Sequence, residues 1–367
     1  MMRWVFILFI LTILTKGNPQ PIVVSYVAGA GSPNYLSGPA CVAIDGHYAY
    51  VAAEYEHSLT IVDVSNPVSP SVVSHVAGAG NYMLTPISVA VAGHYAYVAA
   101  RGNNSLTIIN ISNPASPFVV GHVTGYGSPN YLGGLTEVAV AGHYAYVASW
   151  LDDSLTIVDI SNPSNPKVVG HVAGRGNPNY LYRPAGVAIA NNYAYVAAQY
   201  DNSLTIVNIS NPTNPFVVGH VAGSGSPNYL GQAIRVAIAN RYAYVASWLD
   251  DSLTIVDISN PSNPEVVGNV GGAGSPNYLD MAIAVSIVGC YVYVAAYGDN
   301  SLTIIDISNP ASPSVVGHVC DSYLSGASIL AISGHYAYVP ASSSNSLTIV
   351  DISDFMVTGA KIWVQYY

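Results

Sequence analysis

From residue 39 onward, short apolar runs alternate with turn-forming residues. Residues 40–44 (ACVAI) read as a strand, Asp45 and Gly46 as a turn, and 47–53 (HYAYVAA) as a second strand. A variable stretch, 54–57, precedes a third strand at 59–64 (LTIVDV). Ser65, Asn66, Pro67 and Pro70 then form a turn that cannot continue a ladder. Residues 71–77 (SVVSHVA) make a fourth strand, and a Gly-rich connection follows from Gly78. Side chains alternate across a strand, so Tyr48 and Tyr50 share one face and the smaller Ala49 and Val51 the other. A sheet with one bulky and one small face can stack on a copy of itself. No window combines helical periodicity with capping signals.

The unit repeats. Ser-Leu-Thr-Ile-(Val/Ile)-(Asp/Asn) begins at Ser58, Ser105, Ser154, Ser203, Ser252, Ser301 and Ser346, at spacings of 47, 49, 49, 49, 49 and 45 residues. Four short strands at this period predict the blades of a β-propeller and exclude helical solenoids and short-coiled β-helices. Residues 21–29 (PIVVSYVAG) look like a fourth strand with no first three before it, while the last copy ends near Ser353 without a repeat-like fourth. Joining the two gives an all-β, single seven-bladed propeller of four-stranded antiparallel blades over residues 21–353. The amino-terminal strand closes the ring and removes open edges. Residues 359–367 (GAKIWVQYY) lie at the right distance to compete for that place but do not resemble the repeat. The tail, 354–367, is left as an extra edge strand.

Composition narrows the function classes. With 9 Lys and Arg against 19 Asp and Glu, the formal charge is −10, which opposes polyphosphate backbones and excludes nucleic-acid binding. The 51% hydrophobic content sustains a large core, and the excess of 29 tyrosines over 5 phenylalanines suits strands whose rings keep a polar handle. Arg3, a short apolar run over 4–14 and small residues around Gly17 predict a signal peptide at residues 1–17. The expected location is therefore secreted or cell-surface, with no membrane span after signal removal. Cys41, Cys290 and Cys320 are too few and too irregular for a disulfide framework or a metal site. They are expected to be buried replacements for other residues.

The units LTIVDISNP and GHYAYVA resemble the LVIVD repeat, a propeller-forming repeat of bacterial and archaeal surface and secreted proteins. The resemblance covers about residues 21–353 and implies the fold, but it brings no catalytic motif. The chain departs from it by Thr in place of the first Val, and by the Gly-Ser-Pro-Asn-Tyr-Leu segment of its long connections.

Several groups are candidates for chemistry. Asp63, Asp159, Asp257, Asp306 and Asp351 recur after the third strand, with Asn110 and Asn208 elsewhere. The Asn replacements favour acceptors for the following turn over a carboxylate ring. His47, His94, His143 and His335, and His75, His122, His171, His220 and His318, are one blade apart within each set, too distant to share a metal. The Asn-Tyr pairs such as Asn130-Tyr131 offer either a polar-aromatic rim or a loop packed on itself.

Variation concentrates between the second and third strands, on the face that also carries the long connections. Tyr55, Arg101, Trp150, Asp152, Tyr200, Trp248, Asp250 and Tyr297 make that face aromatic and acidic. They either bind an unknown protein or glycan or are plain solvated loop tips. On the inner strands, equivalent positions hold Cys41, Ser88, Glu137, Gly186, Arg235, Ala284 and Ile329. Glu137 and Arg235 are the charged channel residues, with one blade between theirs, and could pair if their long side chains reach across. Of the Asn-x-Ser sequons at Asn103, Asn110 and Asn208, only Asn103 escapes a turn-capping position. No nucleophile elbow, phosphate loop, catalytic set, metal site or cofactor motif is present in the sequence. The expected function is a non-enzymatic binding scaffold working through the aromatic and acidic loop face. The alternative is a hydrolase or lyase acting at the central channel.

Overall fold

A computed structural model describes residues 19–356. The signal-peptide segment 1–17 and most of the 354–367 tail, including 359–367, lie outside the described residues. The described chain forms seven four-stranded antiparallel sheets. Blade 1 comprises Pro39–Asp45, Tyr48–Ala53, Ser58–Asp63 and Ser71–Ala77 from channel to rim, and blades 2–6 repeat this order. In blade 7, Ala331–Ser333, Tyr336–Ala341 and Ser346–Asp351 are completed by Ile22–Ala28. That strand pairs antiparallel with Ser346–Asp351 from Ile22↔Asp351 to Ala28↔Ser346. The amino-terminal strand therefore closes the ring.

The core lies between blades, and the alternating strand explains it. Tyr50, Ala52, Leu59 and Ile61 of blade 1 pack on Val89, Ala96, Val98 and Ile109 of blade 2. The same pattern runs around the molecule, and across the closure Tyr338, Leu347 and Ile349 meet Val42, Ala49, Val51 and Val62. Each such Leu, Ile or Val contributes about 1.5–3 kcal/mol by leaving water. On the outer strand, Gly121, Gly170, Gly219 and Gly268 pass against a proline carbonyl of the next blade, where a Cβ would collide. Blades 1 and 7 carry Ser there instead, and Ser74 turns the approach into a hydrogen bond, donating to the Pro114 carbonyl at 2.5 Å.

Two features depart from the sequence expectation. Cys41 is buried, but Cys290 is only half-buried and Cys320 is exposed. Cys290 stands in the turn before a second strand, and Cys320 ends an outer strand, so neither faces a core. Blade 7 has an inner strand of only three residues, Ala331–Ser333. Its shorter connection instead lays Ser328 and Ile329 against blade 1. Ser328 Oγ donates to the Ala40 carbonyl at 2.7 Å, and Ile329 and Val42 bond through their backbones to blade partners at 3.2 Å. At the start of the tail, Ser353–Phe355 is a 3₁₀ turn whose Phe355 is buried beside Tyr291 and Gly317.

Candidate functional site at the channel mouth

The loop joining second to third strand has four positions, and the structure gives them different duties. The fourth holds His57, Asn104, Asp153, Asn202, Asp251, Asn300 and Asn345, all at positive φ. Each side chain accepts a backbone N–H at the entrance to the following blade, at 2.8–3.0 Å. The last of these, Gly38 N–H to Asn345, also spans the ring closure.

The third position serves the blade's own entering connection. Asp152 accepts from the Gly127 and Gly133 amides at 3.1 and 2.6 Å. Asp250 accepts from the Gly225 and Gly231 amides and from Ser224 Oγ at 2.9, 2.6 and 2.9 Å. Asp201 and Asp299 do the same in their blades. These carboxylates, which in the sequence resemble ligand contacts, spend their lone pairs on backbone amides.

The long connection is a loop packed on itself. Asn34, Asn81, Asn130, Asn179, Asn228 and Asn277 donate to a carbonyl at the preceding strand end, at 2.6–2.9 Å. Tyr35, Tyr82, Tyr131, Tyr180 and Tyr278 stack on His75, His122, His171, His220 and His318 at 3.5–3.9 Å between ring centroids. In blade 7, Tyr323 stacks on Tyr26. The leucines that follow, such as Leu36 and Leu132, are fully buried. The recurrent Asp and Asn after the third strand accept the amide two residues on, at 2.8–3.0 Å, in all seven blades.

What the scaffold leaves unassigned is the first and second loop positions, and these surround the channel mouth. Glu54, Arg101, Trp150, Leu151, Gln199 and Tyr200 line a cavity of about 420 Å³ whose floor includes Thr136 and Arg235. Trp150 Nε1 donates to Gln199 Oε1 at 3.3 Å, and Gln199 Nε2 donates to Gln232 Oε1 at 3.3 Å. Arg183 lies 3.8 Å over the Trp150 ring and 4.6 Å over Tyr200. Tyr182 meets Tyr200 edge-on at 5.4 Å, and Arg175, itself bonded to Asp153, covers Tyr182 at 4.5 Å. Further round the ring, Trp248 pairs with Tyr297 at 5.7 Å, outside this cavity. Tyr55, 67% exposed, lies over Gly38, whose missing Cβ leaves room for the ring.

Below the mouth, Glu137 and Arg235 meet across the intervening blade, with Nε and Oε1 3.4 Å apart. Gly186 makes this possible, since a Cβ there would stand 2.6 Å from the Ile234 carbonyl and 3.1 Å from Glu137 Oε2. Glu137 Oε2 accepts the Val187 amide at 2.5 Å, and Arg235 Nη1 donates to the Ala185 and Ile234 carbonyls at 2.7 and 2.8 Å. Burial pushes the Glu137 carboxyl above its ordinary range, opposed by Arg235 and by that amide. Beyond this level lies a narrower, largely Val- and Ile-lined space of about 110 Å³, beside Cys41, whose thiol burial pushes up to about 11.

Arg175, Arg235 and Arg241 each have a carboxylate partner, whereas among the described residues Arg101, Lys167 and Arg183 form no ion pair with a carboxylate. Arg101 reaches solvent at the mouth with protein around much of its side chain. That desolvation lowers its pKa, partly offset by the nearby Glu54 charge. The sequence reading placed Glu54 and Gln199 in the variable loops without naming them as binding residues, and it missed Tyr182, Arg183 and Gln232. A signal for these three exists. The two residues before each inner strand, such as Tyr182-Arg183 and Gly231-Gln232, vary between repeats as much as the loop does.

The LVIVD repeat model matches residues 38–78, 87–125, 133–173, 185–222, 230–271, 281–321 and 326–355, one match per blade. The chain belongs to the LVIVD repeat family. No curated protein matches it in sequence. Similar solved structures include the hydrazine synthase of Kuenenia stuttgartiensis, at 16% identity and TM-score 0.64, covering 89% of this chain and 99% of that one. A protein from Lactobacillus plantarum aligns at 11% identity and TM-score 0.63 over 76% and 87% of the two chains. BamB from Moraxella catarrhalis aligns at 11% identity and TM-score 0.54 over 86% and 85%. At these identities the likeness concerns the propeller fold alone. In this LVIVD-repeat protein, the strands and turns repeat from blade to blade, and the variation between blades lies at the mouth.

Proposed function

We propose that this LVIVD-repeat protein is an exported, non-enzymatic binding scaffold that takes a saccharide at the channel mouth. One observation carries the reading. Loop positions three and four are committed to backbone amides in blade after blade, while positions one and two, free of that duty, vary, and residues from those positions in blades 1–4 line one cavity. A cavity of about 420 Å³ is within the range of small-molecule sites. Trp150 and Tyr200 offer rings for the apolar face of a sugar, and Glu54 and Gln199 offer partners for its hydroxyls. The apolar amino-terminal segment supports export. Catalysis at the channel has less support, because Glu137 and Arg235 form an ion pair and each also bonds to the backbone.

A glycan-array screen of the purified chain tests the proposal. Binding is expected, and Trp150→Ala with Tyr200→Ala should weaken it at least tenfold while the melting profile stays within a few degrees of wild type. An array without a bound glycan, or binding indifferent to the double substitution, would defeat it.

A further inference from the structure

Arg101 places a guanidinium that forms no ion pair with a described carboxylate in a cavity lined also by Trp150, Tyr200, Gln199, Glu54 and aliphatic side chains. In a chain of formal charge −10 with only 9 Lys and Arg, a mouth cation that has Glu54 nearby but is in ion-pair contact with no described carboxylate is conspicuous. Arg235 is paired with Glu137. Arg183 has its guanidinium committed to the Trp150 and Tyr200 rings.

Building on the saccharide reading above, we propose that the mouth selects a sugar bearing a single carboxylate, a uronic-acid residue, with Arg101 as its anion anchor and Trp150 as its stacking surface. A planar guanidinium matches a carboxylate with two parallel N–H···O bonds. Low local dielectric strengthens that pairing over its value in open water. Glu54, in the same cavity, accepts hydrogen bonds from ring hydroxyls and repels a second negative charge. A phosphate monoester carries about −1.5 to −2 charges at neutral pH and so meets more repulsion than a carboxylate does. The overall charge acts the same way on long polyanions, leaving a short or terminal acidic sugar as the fitting ligand.

The test is calorimetric titration of the full chain with the methyl glycosides of glucuronic and galacturonic acid, each bearing one carboxylate, their methyl esters, and the neutral methyl glucoside and methyl galactoside. Free acids should bind at least tenfold tighter than esters or neutral sugars. Arg101→Gln should erase that preference, and Arg101→Lys should restore only part of it, since Lys keeps the charge without the fork. Because Arg101 is exposed, neither variant should change the fold. Equal binding of acid, ester and neutral sugar, lost in Trp150→Ala but not in Arg101→Gln, would overturn the carboxylate selection while leaving the saccharide site standing. Absence of binding by every sugar, acidic and neutral, would overturn both.

Discussion

At the scale of single residues, the two departures from the LVIVD pattern turn out to be one device. The Thr that replaces the first Val donates its hydroxyl to the carbonyl of the Tyr in the long connection. Thr60 reaches Tyr35 at 2.7 Å, Thr254 reaches Tyr229 at 2.6 Å, and every other blade repeats the bond. The threonines are wholly buried, so the carbonyl has no water to turn to. Thr254→Val restores the residue the repeat pattern favours and keeps the shape, but it leaves the Tyr229 carbonyl without its short bond. Ser252 Oγ still reaches that carbonyl at 3.4 Å, so the expected loss is about 0.5–1.5 kcal/mol of stability, the net worth of one hydrogen bond. Thr254→Ser keeps the hydroxyl and should retain most of that stability. Denaturant titration of both variants decides, and a Val variant as stable as the Ser variant would remove the device. Sequence inspection found both departures yet treated them separately. Strand positions say nothing about which loop carbonyl lies above a given hydroxyl.

At the scale of the element, each connection is tied down through its tyrosine. The imidazoles of His122, His171 and His220 lie under tyrosine rings, and desolvation lowers their pKa values. A base whose folded pKa is lowered binds protons more readily when unfolded, so stability must fall as pH drops through the ordinary histidine range near 6.5. Above that range the histidines are neutral in both states and contribute no slope. The carboxylates of Asp63, Asp159 and Asp257 act in a separate window. Hydrogen bonds from the following serine lower their pKa values, so their contribution is lost only as pH falls through and below the carboxylate range near 4. Melting temperature should therefore decline between about pH 7 and 5, then again more acidly. Replacing the three histidines by Asn, the residue blade 5 carries at Asn269, should flatten the first decline and leave the second. An unchanged first decline would assign it to other groups. The blades were legible because strand alternation and turn residues are local signals. The stacking of Tyr180 on His220 was not, since it joins residues at opposite ends of one repeat. Nor was the use of Asp152 and Asp250 as amide acceptors, because an acidic loop tip has the same composition whether its carboxylates face solvent or backbone.

At the scale of the whole molecule, stability depends on closing a ring whose last blade is assembled from both chain regions. The closure was readable from a fourth strand without predecessors and a last repeat without a successor. The seam beside it was not. Ser328 and Ile329 grip blade 1 because a shortened connection changes their path, and no repeat-based template contains that geometry. The pairing of Glu137 with Arg235 was half legible: the charges stood out, but the room for them came from Gly186, a residue notable for what it lacks. Closure should be energetically decisive. The strand Ile22–Ala28 buries Val27 against the blade 7–blade 1 core and covers the hydrogen-bonding edge of Ser346–Asp351. A chain beginning at Gly29 would expose that edge, leave an interblade core without its rim, and offer other copies a template for strand addition. Such a chain should associate into oligomers on size exclusion and melt at a lower temperature with a broader transition. A synthetic peptide of residues 19–29 supplied in excess should restore the monomer, since the missing strand can bind as a separate piece. A truncated chain that stays monomeric with an unshifted melt would mean that the ring holds without its amino-terminal strand, and that the interblade cores alone carry the closure.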